Sequence, residues 1–192
     1  MPRAAECRAG CLLDPLPPPA KLTPRQPVPA LSLPTVAGPT WTLGANPPAH
    51  FTLIVFYRGL HCPVCRGYLS ELNRLHADFT ARGVEVFVAS SDGAERAAQA
   101  VRDWGLSNLT VGHGLPIDEA RRWGLYVSSS RGKTSLGIDE PARFSEPGVF
   151  LVRADGTLYW ASVQTMQFAR PHFDEMLKAI DFVLKNDYPA RG

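Results

Sequence analysis

The chain has 192 residues, of which 45% are hydrophobic, and a formal net charge of +2. This length suits one domain with one substantial core, and a second full domain would be a tight fit. Only 20% of the residues are charged, and they form no extended basic stretch or acidic tail. The composition therefore gives little reason to expect nucleic acid or an anionic membrane as a partner.

The N-terminal segment, residues 1–26, is dominated by prolines in PLPPPAKLTPRQP. Proline cannot continue a helix or donate to a central sheet, so we predict an extended, flexible leader ahead of a single domain at 27–192. No apolar run approaches the length of a membrane span, and no signal-peptide pattern is visible. We therefore expect a cytoplasmic protein with no membrane partner.

The first half of the body alternates strand and helix. The segment VPALSLPTVAGPTWTLGA predicts a small hairpin at a sheet edge. Residues 51–57 are almost continuously apolar, which indicates a central buried strand. From Pro63, apolar residues recur at three- and four-residue spacing until Gly83, which predicts an amphipathic helix. With a second strand at 84–90, this pattern predicts a βαβ unit with parallel strands.

The second half continues with shorter elements. Helices are predicted near 95–104 and 117–123, with a strand at 109–111 between them. Residues 126–146 lack periodicity, which predicts a long loop over the active site. The runs VFLVR and TLYWASV flank a turn with glycine and predict an antiparallel hairpin, and a last helix follows at 171–186. Together these elements predict an α/β fold with a mixed central sheet and helices on both faces.

The motif Cys62-Pro63-Val64-Cys65 comes directly after the best strand and opens the best helix. Pro63 suits the first helical position, where its missing N–H is no loss. The unpaired N–H groups of a helix start stabilise a thiolate, and the pKa of a cysteine there falls from about 8.5 to roughly 7 or below. We expect Cys62 to be exposed at the helix tip, with Cys65 one turn further in and able to form a disulfide with it.

The neighbours of the motif are basic or potentially basic. Arg58, His61 and Arg66 add positive charge near the sulfurs, and His61 is a weaker candidate for a general acid or base. Trp160 is a candidate lining residue of the site. The chain has two more cysteines, Cys7 and Cys11, which with the motif could form a four-thiolate zinc site. Because both lie in the predicted leader, they are more simply two exposed thiols.

The run LIVFYRGLHCPVCRGYLSELNRL resembles the thioredoxin superfamily, and within it the peroxiredoxin-like AhpC/TSA group (alkyl hydroperoxide reductase/thiol-specific antioxidant). The resemblance spans roughly residues 27–188 and implies a thioredoxin-like fold. Peroxiredoxins carry the signature Pro-x-x-x-Thr-x-x-Cys. Here Arg58 stands at the proline, Cys62 at the threonine and Cys65 at the peroxidatic cysteine. Pro147 stands where an assisting arginine is usual, and it is similar to the cis-proline that faces the cysteine pair in thioredoxins.

Both departures from the peroxiredoxin pattern favour dithiol chemistry. We predict a thiol–disulfide oxidoreductase in redox homeostasis or antioxidant defence, in which Cys62 attacks and Cys65 resolves, with no metal or organic cofactor. Its partners would be a disulfide-bearing protein or small thiol and a reducing thiol system. The first alternative is a peroxidase, in which a hydroperoxide oxidises Cys65 and Cys62 condenses with it. The second is a metal-binding module that uses the thiolates as ligands.

Overall fold

The computed structural model describes residues 18–192, so Cys7, Cys11 and most of the predicted leader lie outside the described part. Nine strands and four helices are present in that part. The strands are β1 Ser32–Pro34, β2 Thr40–Thr42, β3 Phe51–Phe56, β4 Val84–Ala89, β5 Thr110–Gly112, β6 Val127–Ser129, β7 Arg143–Ser145, β8 Gly148–Arg153 and β9 Leu158–Val163. The helices are α1 Pro63–Ala81, α2 Ala94–Trp104, α3 Ile117–Arg122 and α4 Phe173–Asn186.

The central sheet has five strands in the order β5-β4-β3-β8-β9. Strand β3 lies in the middle, and all six of its residues are buried, as its apolar sequence predicts. It is parallel to β4 and antiparallel to β8. The predicted βαβ pair and the predicted mixed sheet are therefore confirmed, and β8 with β9 forms the predicted antiparallel hairpin.

Side chains of β3 point alternately to two hydrophobic clusters, one on each face of the sheet. Leu53 and Val55 pack into the cluster that holds buried residues of α1, α2 and α4. Ile54 and Phe56 pack into the cluster that holds residues of β1 and α3. This cluster also contains Trp123, the residue after α3. This alternation follows from the two-residue repeat of a strand. Helices therefore cover both faces, as predicted.

The segment at 126–146 differs from its prediction. It contains β6 and β7, which pair antiparallel from Val127 opposite Ser145 to Ser129 opposite Arg143. Each strand has three residues, which is too short for an alternating pattern to be visible in the sequence. The segment is therefore a small two-stranded sheet with a connection at 130–142, and not one long loop.

The described end of the predicted leader is bonded to the body. The backbone N–H of Arg25 donates to the carbonyl of Leu158 at 2.8 Å, and that of Leu158 donates to the carbonyl of Gln26 at 2.9 Å. Leu22 packs against the cluster that contains Ile54. The domain boundary at residue 27 stays a prediction, but residues 20–26 contribute backbone hydrogen bonds and apolar contact to the fold. Within residues 18–192, no helix is long and apolar enough to cross a membrane.

Candidate active site

Cys62 is the N-cap residue of α1, and Pro63 takes the first turn, as the sequence predicts. The Sγ atom of Cys62 accepts a hydrogen bond from the backbone N–H of Cys65 at 3.3 Å. The first turn of α1 carries no acidic residue, so nothing there offsets the positive end of the helix dipole. The local structure therefore favours a negative charge on Cys62.

The two cysteines are both free thiols and both fully buried, each 0% exposed. The expectation that Cys62 is exposed at the helix tip is therefore wrong. Both cysteines belong to the buried cluster that also contains Tyr57, Leu60 and residues of distant elements such as Trp104 and Phe173. A motif in the sequence marks a helix start, but it does not show which distant segments cover it.

The two thiols differ in acidity. The thiol of Cys65 donates a hydrogen bond to Cys62, and this bond lowers the pKa of Cys62 most. Burial raises that pKa, but the Cys65 backbone N–H, Arg170 and Arg58 lower it again. The resulting pKa of Cys62 is about 6. Burial raises the pKa of Cys65, and the neighbouring Cys62 sulfur raises it further. At neutral pH the pair therefore consists of a Cys62 thiolate and a Cys65 thiol.

The site contains one cation that the sequence analysis missed. Nη2 of Arg170 lies 3.2 Å from Sγ of Cys65 and 3.8 Å from Sγ of Cys62. Its guanidinium lies over the ring of Tyr68, 5.1 Å from the centroid, and its Nε donates to the carbonyl of Gln167 at 2.8 Å. Arg170 is more than a hundred positions from the motif, between the last strand and the last helix. No local sequence signal marks it.

Tyr68 fixes the segment that carries Arg170. Its hydroxyl donates to the carbonyl of Pro171 at 2.8 Å, and its ring stacks on Phe173 with 4.3 Å between the centroids. Tyr68 follows Cys65 by one turn on α1, so the same helix face holds both the sulfur and the support of the arginine. This arrangement places the guanidinium against the sulfurs.

Arg58, a predicted supporting residue, is held by carboxylates. Its Nε lies 3.2 Å from Oε2 of Glu146, and its Nη2 lies 3.5 Å from Oε1 of Glu140. The guanidinium also lies 4.7 Å from the centroid of the Phe144 ring. Arg58 lowers the pKa of Cys62, and it is the last of the causes named above. Arg66, in contrast, is exposed on α1.

His61 is a buried neutral imidazole. Burial lowers its pKa, and the charge of Arg58 lowers it further, to about 4. Its ring meets the edge of Phe144 at 4.6 Å, and neither ring nitrogen has a hydrogen-bond partner among the described residues. His61 is therefore uncharged at neutral pH, and it adds no positive charge beside the sulfurs.

The turn between β3 and α1 is held by Asp92. Its Oδ2 accepts the backbone N–H of Leu60 at 2.6 Å, and its Oδ1 pairs with Arg96 at 2.8 Å. Gly59 has φ of 128°, and a Cβ there would lie 2.6 Å from Oδ2 of Asp92. Only glycine allows this approach without strain, so Gly59 sets the position of the helix start.

Two further predicted residues lie on or next to strands of the central sheet. Pro147 is buried directly before β8, and all described peptide bonds are trans, so it differs from the cis-proline with which the sequence was compared. Trp160 is 36% exposed and lines a cavity of about 540 Å³ between the sheet and α4. Arg170 lines the same cavity. Arg170 therefore both lines the cavity and contacts the two sulfurs.

The predicted four-thiolate zinc site would use four cysteines, of which the structure describes only Cys62 and Cys65. Within residues 18–192, no three or more His, Cys, Asp or Glu side chains are grouped so that they could hold a metal ion. His61 does not join the two thiols as a third ligand. A four-thiolate site would need Cys7 and Cys11, which lie outside the described residues.

Residues 24–161 match the family model for the AhpC/TSA family, which is most of the chain. The chain belongs to the AhpC/TSA family. The thioredoxin-like, peroxiredoxin-like resemblance predicted from LIVFYRGLHCPVCRGYLSELNRL is thereby confirmed. The protein is an oxidoreductase, as predicted, and its family is an antioxidant family. A search of curated proteins finds no match.

Solved structures of peroxiredoxins share the fold. The peroxidoxin BcpB of Mycobacterium tuberculosis is 16% identical, with a TM-score of 0.66 over 85% of this chain and 99% of that chain. A cysteine-to-serine mutant of the peroxiredoxin 6 of Arenicola marina is 18% identical, with a TM-score of 0.69 over 85% and 74%. A thiol peroxidase from Chromobacterium violaceum is 18% identical, with a TM-score of 0.64 over 88% and 93%. At these identities the likeness concerns the fold.

Proposed function

We propose that this AhpC/TSA family protein is a thiol–disulfide oxidoreductase that cycles between a Cys62–Cys65 dithiol and its disulfide. The observation that carries the proposal is the acidity of Cys62, which accepts the Cys65 N–H at the start of α1 and has its pKa lowered to about 6. Only a thiolate attacks a disulfide, and Cys62 is the cysteine that is ionised at neutral pH.

The cycle begins with the Cys62 thiolate attacking one sulfur of a substrate disulfide. A Cys62–substrate mixed disulfide forms, and the other substrate sulfur leaves as a thiolate. Cys65 then gives up its proton to the released substrate thiolate and attacks the Cys62 sulfur. This attack expels the second substrate thiolate and leaves the Cys62–Cys65 disulfide. Arg170, at 3.2 Å from Cys65, stabilises the negative charge that Cys65 carries in this second step.

The return half of the cycle needs a reductant. A cytoplasmic thiol system, which we propose as the partner, supplies two electrons and two protons and restores the two thiols. The substrate class that we propose is a disulfide-bearing protein or a small-molecule disulfide.

Trapping tests the order of attack. In Cys65→Ser the mixed disulfide cannot be resolved, so we expect a stable adduct between Cys62 and glutathione after incubation with oxidised glutathione. Cys62→Ser is the matched control and should form no adduct. Intact-mass spectrometry under non-reducing conditions measures both. An adduct on Cys65 in Cys62→Ser, with none in Cys65→Ser, would refute the proposed order.

A hydroperoxide is the second candidate substrate. Two observations favour it: the family is that of alkyl hydroperoxide reductase, and Arg170 lies closer to Cys65, at 3.2 Å, than to Cys62, at 3.8 Å. In this cycle the Cys65 sulfur attacks one oxygen of the hydroperoxide, the O–O bond breaks, the other oxygen leaves as an alcohol or water, and Cys65 becomes a sulfenic acid. Cys62 then condenses with it and water leaves.

Sulfenic-acid labelling separates the two candidates. If peroxide is the substrate of Cys65, the Cys62→Ser variant should consume hydrogen peroxide much faster than a free thiol and accumulate a labelled Cys65. Under the disulfide proposal, the raised pKa of Cys65 keeps this reaction slow. Stopped-flow peroxide consumption with mass-spectrometric mapping of the label gives the answer.

A further inference from the structure

The cavity beside the active site has largely apolar walls and one partly buried cation. Residues of the sheet and of α4 enclose about 540 Å³, which is within the usual size range of small-molecule sites. The apolar part of its wall includes Leu151, Tyr159, Trp160, Met176, Ile180 and Val183. Its polar lining residues are Arg170, which also contacts the sulfurs, and the exposed residues His172 and Glu175.

Among the described residues, Arg170 has no carboxylate partner. None of the ion pairs within residues 18–192 includes it, and its buried Nη1 atom donates to no acceptor there. Its negative neighbours are the sulfurs, since Nη2 donates to Sγ of Cys65 and Sγ of Cys62. A partly buried guanidinium is stabilised by a nearby negative charge, and here the Cys62 thiolate supplies it.

Oxidation removes that charge. Forming the Cys62–Cys65 disulfide takes two electrons from the pair, releases the Cys65 proton and leaves both sulfurs neutral, with the substrate disulfide as the electron acceptor. Arg170 then lines a largely apolar cavity and has no ion-pair partner within residues 18–192. The oxidised protein therefore offers a site with one cation and mostly apolar walls.

We propose that this cavity binds a monocarboxylate with an unbranched apolar chain, such as a medium-chain fatty acid, and that it binds it more tightly in the disulfide form. The chain replaces water along the apolar walls, and the carboxylate accepts hydrogen bonds from the guanidinium of Arg170. The proposal rests on the proposed function, because the redox preference requires that Cys62 and Cys65 form the disulfide.

Binding and redox state are linked. A ligand that prefers the disulfide form stabilises it, so it makes the reduction potential of the pair more negative. A tenfold preference corresponds to about 30 mV at saturating ligand, because the couple transfers two electrons. The cavity would thus adjust how readily the protein is reduced.

Calorimetric titration with decanoate tests the proposal. We expect the oxidised protein to bind decanoate about tenfold more tightly than the reduced protein at pH 7. Decanol, which has the chain without the charge, should bind equally to both forms, and acetate, which has the charge without the chain, should not bind measurably. Equal affinity of both forms for decanoate, or no saturable binding to the oxidised form, would overturn the proposal.

Four variants identify the cause. Arg170→Met should abolish the redox preference, and Arg170→Lys should keep part of it. Arg66→Met is the matched control, because it removes an exposed arginine on α1 and should leave the preference unchanged. The double variant Cys62→Ser with Cys65→Ser carries neutral hydroxyls, so it should bind decanoate as tightly as the oxidised protein under reducing conditions.

The double variant also separates the two proposals. If non-reducing mass spectrometry finds no Cys62–Cys65 disulfide, the proposed function fails, yet tight binding by the double variant would still support the carboxylate site. If the disulfide forms and the double variant binds decanoate no better than the reduced protein, the carboxylate site fails on its own.

Discussion

At the scale of single residues, the site depends on the difference in acidity between two cysteines on one helix turn. The Sγ atom of Cys62 accepts hydrogen bonds from the backbone N–H and the thiol of Cys65, and the pKa of Cys62 is lowered to about 6. Burial raises the pKa of Cys65. Alkylation of Cys62 should therefore rise with pH through about 6 and then level off, because the thiolate fraction does the same.

Arg170 is expected to tune this acidity. Replacing it by methionine removes a positive charge near both sulfurs, so the pKa of Cys62 should rise. At pH 6 the rate of Cys62 alkylation should fall by about fivefold, given the size of such charge effects. Arg66→Met serves as the control, since Arg66 is exposed. An unchanged pH profile in Arg170→Met would show that Arg170 does not act on the thiolate.

His61 is expected to be dispensable for proton transfer. Its pKa, lowered to about 4, leaves it neutral, and its ring packs against Phe144. His61→Phe should keep the packing and the midpoint of the Cys62 alkylation profile near pH 6. If His61 were a general acid or base, His61→Phe would lower the turnover rate with a disulfide substrate by roughly a hundredfold or more. Steady-state rates of the variant decide between these outcomes.

At the scale of elements, the position of α1 depends on the turn before it. Gly59→Ala would bring a Cβ to 2.6 Å from Asp92 at a φ of 128°. We expect a loss of about 2 kcal/mol in the free energy of unfolding, because both the clash and the backbone angle are unfavourable. Urea unfolding followed by circular dichroism measures it.

The same helix provides the control. Gly67 lies on α1 with nothing within 4 Å of the position of a Cβ. Gly67→Ala should therefore stabilise the protein by roughly 0.5–1 kcal/mol, because alanine has the higher helix propensity. If Gly59→Ala were as stable as Gly67→Ala, the role assigned to the turn would be wrong.

Elements with a strong local pattern could be predicted from the sequence, and contacts between distant segments could not. The run FTLIVF is apolar throughout, and it is the central strand of the sheet. Cys62 and Pro63 marked the start of α1 because capping is local. Arg170, in contrast, reaches the sulfurs only through the tertiary fold. The burial of Cys62 was missed for the same reason, whereas β6 and β7 were missed because strands of three residues show no alternating pattern.

At the scale of the whole molecule, the fold includes more of the N-terminal segment than its composition suggests. Residues 20–26 bond to Arg121 and Leu158, and Leu22 packs against the core. A chain that begins at residue 27 should therefore lose about 2 kcal/mol of unfolding free energy relative to one that begins at residue 18. Thermal and urea unfolding of the two chains test this. Equal stability would support a leader that ends at residue 26.

The central claim is that Cys62 is the thiolate of the pair. Limited alkylation of the reduced wild-type protein with iodoacetamide, followed by peptide mass spectrometry across a pH series, tests it most directly. Restricted access to the buried sulfurs slows the reaction at every pH alike, so the midpoint still reports ionisation. We predict that the first label lies on Cys62, with a midpoint near pH 6. First labelling of Cys65, or a midpoint near that of a free thiol at about 8.5, would contradict the claim.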